Sequence, residues 1–278
     1  MAGELLQYSG LITKTRAMQS RLLKKEDFER ITEFQTVPET IGFLREQESY
    51  GKIYAGHEEI RHRGQVEAVI HNSILEDYRK LYLFGNGEQR KALKLYFPQL
   101  QYEEAVPKIE VSYFVEVWKQ IGKSFDKQMQ RVLSEVFGTQ IDWLNIMWMY
   151  RGKQFFHQKP EEMEAMLIPI HYKLRRQEMQ RMLEAEQIEE FCRILSNTVY
   201  FKGREALVKM QDEVSYHQVM EKMYQRVCRK HPASMAPVFY YLYKKEREIE
   251  HLTTALEGIR YQVPAKDIRK LILLNTVI

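Results

Sequence analysis

Cysteine is nearly absent from this 278-residue sequence, with only Cys192 and Cys228 present. They form no CxxC pair and no Cys/His cluster, so neither a disulfide framework nor a structural zinc site is implied, and a reducing compartment is the default. Glycine (13) and proline (8) are also scarce, about 8% of the chain against roughly 12% in average usage, so little interrupts long helices. Long apolar runs are lacking. The longest, residues 146–150 and 238–243, fall far short of the ~20 residues needed to cross a bilayer. The N-terminal segment sets Glu4, Lys14, Arg16 and Arg21 among its apolar residues, unlike a signal peptide. If the protein works at a membrane, it does so from outside the hydrocarbon layer. Excess charge of one sign is missing too: 42 basic against 38 acidic side chains leave a net charge of +4.

What is present is helical periodicity. Met235, Val238, Phe239, Leu242, Ile249, Leu252, Leu256 and Ile259 trace one apolar stripe on a long helix that ends near Gly258. Ser234 is its candidate N-cap, Pro237 falls in its first turn, and Pro264 opens the next segment. The same reading predicts helices over residues 4–22, 25–34, 38–47, 58–84, 88–96, 112–121, 126–137, 141–155, 160–167, 175–185, 188–195, 204–229 and 265–273. Connections are expected at Gly51, Gly85 to Gly87, Pro98, Gly138 and Gly203. Strand alternation is nowhere sustained and no low-complexity linker occurs, so the expectation is one continuous all-α body over 1–278.

The chain also echoes itself. Residues 27–44 align without gaps on 178–195, so that Phe28 meets Met179, Arg30 meets Arg181, Val37 meets Ile188 and Leu44 meets Leu195. A second echo sets Asp142, Asn145 and Gly152 beside Glu248, His251 and Gly258, with Pro160 or Pro264 soon after. Two amphipathic segments resemble each other by chance often enough. Two ordered echoes in one chain make duplication the better reading.

Motifs with chemical meaning fail on inspection. His57 and His62 in HEEIRH lie five apart, about 140° around a helix at ~100° per residue, and so do not face one metal as an i, i+4 pair does. Gly122-Lys123-Ser124 lacks the earlier glycine of a phosphate loop, which Val117 replaces, and reads as a helix terminus. Gly85-Asn86-Gly87 has Arg90 where a dinucleotide fingerprint needs its third glycine, and reads as an interhelix turn. His71, His157, His171, His217, His231 and His251 are scattered, with no Ser/His/Asp or paired-carboxylate pattern. No catalytic, cofactor-binding or metal-ligating residue is therefore assigned. Basic residues at Lys24, Lys25, Arg61, Arg63, Arg175, Arg176, Lys244, Lys245 and Arg247 alternate with glutamates, the pattern of a solvated helix face rather than of nucleic-acid binding. Trp143, Met147, Trp148, Met149, Tyr150, Phe155 and Phe156 form an aromatic and Met-rich patch expected in the core, or in part at an interaction surface.

Several strings nevertheless carry a family resemblance. Residues 8–18 (YSGLITKTRAM) with 20–23 (SRLL), Tyr113-Phe114 with Trp118-Lys119, the run 138–146 (GTQIDWLNI), Tyr150 to Lys153, and the block from Pro237 through Tyr240-Tyr241-Leu242 and Lys245-Glu246 to Gly258 occur in order. Together they resemble the C-subunit family, also called the d-subunit family, of V-type and archaeal-type rotary ATPases. That family usually has asparagine where Ile12 stands, and residues 96–109 match its first-repeat motif weakly.

The resemblance implies an all-α funnel of three pseudo-repeats, here roughly 1–110, 111–172 and 173–278. It implies a noncatalytic central-stalk rotor subunit without cofactor, peripheral on the cytoplasmic face of the cell membrane. There it would couple the shaft subunits D and F to the proteolipid ring that carries H⁺ or Na⁺, with no nucleic-acid partner. A free-standing helical scaffold or adaptor that reuses the fold is the alternative.

Overall fold

The computed structural model describes residues 2–54, 63–100, 111–201 and 212–273. Among these residues there is no strand, and the helices are α1 (Ala2–Gln19), α2 (Lys25–Ile31), α3 (Val37–Glu46), α4 (Gly51–Tyr54), α5 (Arg63–Phe84), α6 (Gly87–Leu100), α7 (Val111–Ser124), α8 (Lys127–Gln154), α9 (Pro160–Glu164), α10 (Arg176–Glu184), α11 (Ile188–Ser196), α12 (Asp212–Lys230), α13 (Ala236–Arg260) and α14 (Ala265–Leu273). The all-α expectation holds. Two compact units divide the chain: residues 1–103 with 232–278, and residues 104–231.

Each unit is organised around one long helix. In the first, α13 packs against α1, α3, α5 and α14. The apolar stripe read from the sequence, Met235 to Ile259, is buried at all eight positions. In the second unit, α8 packs against α7, α9, α10, α11 and α12. Its buried face carries Trp143, Ile146 and Met149, which meet Met179, Met182, Leu183, Phe191 and Leu195 from α10 and α11. Phe114 of α7, with Ile141, Ile168 and Ile170, closes a second apolar cluster in that unit.

Local chemistry sets the helix starts. Thr36 and Asp126 turn their side-chain oxygens back to the backbone N–H groups of Glu39 and Met129, satisfying donors that no turn precedes. At α2 and α10 the acid three residues on accepts the N-cap N–H instead: Lys24 donates to Asp27 (2.7 Å) and Arg175 to Glu178 (2.8 Å). Ser234 is not the cap of α13. That position is Met235, and the Ser234 hydroxyl accepts the Ala236 N–H at 3.1 Å.

The expected break at Gly138 is absent, and residues 127–154 form one uninterrupted helix. A Cβ at Gly138 would lie 2.4 Å from Cγ of Tyr172. This glycine therefore serves a close approach to the Tyr172 ring and not a turn. Pro98 likewise sits inside α6, and Gly51 opens the short helix α4. The turn at Gly85 to Gly87 and the helix terminus at Gly122 to Ser124 fall where expected. Gly203, His57 and His62 lie outside the described residues.

Candidate functional site

In the unit of residues 104–231, Asp142 projects from the middle of α8 into the segment that leads to α10. Its carboxylate accepts the backbone N–H groups of Tyr172 (3.1 Å), Lys173 (2.7 Å) and Leu174 (2.9 Å), and the hydroxyl of Tyr200 (2.6 Å). Burial raises the pKa of Asp142, opposed by the Tyr200 hydroxyl and these three N–H groups. Tyr200 is pushed well above its ordinary value, by burial first and then by the adjacent carboxylate. One helical turn on, Asn145 clasps Ile168: its amide donates to the carbonyl and its oxygen accepts the N–H, both at 2.9 Å. Beside the latch, Glu135 is held by Lys173 (2.9 Å) and by Arg226.

The unit of residues 1–103 and 232–278 repeats the device on α13. Glu248 accepts the backbone N–H of Leu23 (2.5 Å), just before α2, and the hydroxyl of Tyr50 (2.7 Å), just after α3. Leu23 and Leu174 are 151 residues apart, the same offset that relates the starts of α2 and α10 and of α3 and α11. A further cation joins here. Lys245 donates to Glu248 (2.6 Å) and to the Tyr50 hydroxyl (2.9 Å), with its ammonium 4.1 Å from the Tyr50 ring centroid. The Lys245 and Glu248 side chains are 1% and 4% exposed, so the expected solvated face over residues 244–248 is corrected. Lys245 and Glu248 form a buried ion pair, and Arg247 is buried beside them. Arg247 Nη2 lies 2.8 Å from Nε2 of His251, whose ring meets Phe28 edge-on at 5.5 Å. Burial, then Arg247, lowers the pKa of His251 to about 3.

The two long helices also end alike. Gln158 N–H bonds to the Gly152 carbonyl and Val263 N–H to that of Gly258, each at 2.9 Å. The residues before those donors, His157 and Gln262, hold φ of 49° and 54°. A Cβ on Gly152 would meet Met163 Sδ at 2.7 Å, and one on Gly258 would meet Ile268 Cγ1 at 2.6 Å. Here Gly at the last turn lets the following helix fold back onto α8 or α13. The sequence echo is thus matched in geometry at the acid and the glycine. It differs at Asn145 and His251.

These groups hold helices in place. All four hydrogen bonds that the Asp142 carboxylate accepts among the described residues come from donors of the chain itself, as in an anchor that fixes one segment to another. The other residues weighed in the sequence do not converge. Among the described residues no group of three or more His, Cys, Asp or Glu is placed to hold a metal ion. A wide groove of about 500 Å³ on α11, lined by Gln187, Glu189, Glu190 and Arg193, holds none of the buried carboxylates. In the aromatic patch, Trp143, Met147 and Met149 are core, whereas Phe155 and Phe156 are 61% and 69% exposed. No helix among the described residues is long and apolar enough to cross a membrane.

The fold is thus an all-helical one in which two long buried helices each pin a helical pair through one carboxylate. Residues 11–106 and 108–271 match the family of the ATP synthase (C/AC39) subunit, and the chain belongs to that family. It is also 21% identical, over an alignment of 341 positions covering 96% of both chains, to the C-subunit of the A-type ATP synthase of Archaeoglobus fulgidus.

Proposed function

We propose that this chain is the noncatalytic rotor adaptor of a V- or A-type ATPase, seated between the shaft subunits D and F and the membrane proteolipid ring. On this reading it is peripheral on the cytoplasmic face and passes torque between ATP turnover in the soluble sector and H⁺ or Na⁺ movement through the ring. Three pseudo-repeats arranged as a funnel would provide the socket for the shaft. The observation that supports the reading most is the family match over nearly the whole chain. The physics agrees with it. Torque passes through stiff packing and large complementary surfaces, and long helices held by buried latches resist shear better than loops do.

The test is a tagged copy of the chain expressed in its own cells, with membranes solubilised in mild detergent before capture. The proteolipid and both shaft subunits should accompany it in fixed ratio. Capture of soluble partners alone, with every ATPase subunit left behind, would instead favour a free-standing scaffold and refute the adaptor.

A further inference from the structure

Three large exposed apolar side chains of the first unit stand on two helices that pack together, α1 and α5. Leu83 and Phe84, the last two residues of α5, are 73% and 56% exposed, and Leu6 on α1 is 79% exposed. Gly10, one helical turn after Leu6, lies against the Phe84 ring, where an added Cβ would sit 3.2 Å from it. Gln89 also ties the two elements by donating to the Gln7 carbonyl at 3.0 Å. The knob is rigid: Arg90 donates to the carbonyls of Tyr82 (2.9 Å) and Leu83 (3.0 Å), closing the end of α5. An apolar cluster fixed in water at this cost in hydration marks an interaction surface.

The charges around it are predominantly basic, with one acid, Glu88, in the first turn of α6. Arg79 lies one turn before Leu83 and is exposed, as are Lys91 and Lys94 on α6. The Arg90 guanidinium and the Lys94 ammonium both lie over the Tyr82 ring, 5.5 and 5.9 Å from its centroid. The nearby acids Glu76 and Asp77 are engaged by Lys80, at 3.9 and 3.0 Å. Another exposed apolar corner, Phe155, Phe156 and Met166 in the second unit, is bordered mainly by acids, exposed Glu161, Glu162 and Glu164 beside the single exposed Lys159. Charge therefore separates the two corners. Apolar side chains within a basic collar are complementary to a surface that is anionic outside and apolar beneath.

We propose that the Leu6, Leu83 and Phe84 knob, collared by Arg79, Arg90, Lys91 and Lys94, seats directly on anionic phospholipid headgroups. This adds a lipid contact to any hold through protein partners, and it does not depend on the adaptor reading. The test is flotation of the full chain with vesicles of phosphatidylglycerol and phosphatidylcholine, against vesicles of phosphatidylcholine alone. Neither contains a proteolipid or a shaft subunit, so the result is separate from that of the detergent capture. The chain should float with the anionic vesicles only, and less as salt rises. At about 1 kcal/mol per basic residue near an anionic surface, Lys91→Glu with Lys94→Glu should reduce partitioning at least about tenfold. Leu83→Glu with Phe84→Glu should abolish it, and Phe156→Glu should leave it unchanged, with unaltered helical circular dichroism throughout. Absence of flotation, or flotation indifferent to the four substitutions at the knob and collar, overturns the proposal. So does knob-dependent capture of delipidated proteolipid ring without vesicle binding, which would assign the surface to a protein.

Discussion

A carboxylate in a protein interior needs donors to answer its charge, and Asp142 and Glu248 recruit them from segments far along the chain. Asp142→Asn keeps one acceptor but turns an NH₂ toward backbone N–H groups that have no other partner. It should cost roughly 3 kcal/mol in urea unfolding, against about 1 kcal/mol for Tyr200→Phe, which removes a single donor. In the other unit Lys245→Met strands a buried Glu248 and should cost about 3–5 kcal/mol. His251 adds a pH dependence. Its folded pKa, about 3, lies below the ordinary 6.5, so the unfolded chain binds the extra proton between those values. The stability it contributes is complete above about pH 6.5 and is lost as pH falls toward 3. Thermal midpoints should decline across that window, and less steeply in His251→Gln; an equal decline in both would remove His251 from the account. The equivalence of Asp142 and Glu248 was legible in the sequence, because both stand ten residues before a glycine that a proline soon follows. Their partners were not legible. Leu23 and Tyr50 reach Glu248 across 225 and 198 residues, and only tertiary packing brings them there.

At the scale of elements, periodicity located nearly every helix, and its errors fall on residues whose usual meaning was overridden by packing. Gly138 read as a break because glycine favours helix ends, yet inside α8 it makes room for Tyr172. Lys245, Arg247 and Glu248 read as solvated because charge alternation usually marks a surface, yet Lys245 and Glu248 pair with each other and with Tyr50 inside the unit, and Arg247 is buried against His251. Short elements such as α4 carry too few residues for a period to register. The glycines supply a direct check. Gly138→Ala should cost about 1–3 kcal/mol by overpacking against Tyr172. Gly122→Ala, in α7 with nothing within 4 Å of the new methyl, should stabilise by about 0.4–1 kcal/mol. Denaturant midpoints moving the same way in both variants would contradict the packing assigned to Gly138.

For the whole molecule, family membership rests on residues spread through both units, and the buried carboxylates described in each of them hold helices together. The order of the resembling strings, from the segment at Tyr8 to the block at Gly258, carried that reading from sequence alone, whereas partner surfaces depend on which side chains remain exposed after folding. The central claim is mechanical coupling, and ion pumping by inverted membrane vesicles tests it most directly. Vesicles carrying a complex that lacks this chain should retain ATP hydrolysis in the detached soluble sector while pumping no H⁺ or Na⁺, and adding back the purified chain should restore pumping. Undiminished pumping by vesicles shown to be free of the chain would contradict the account.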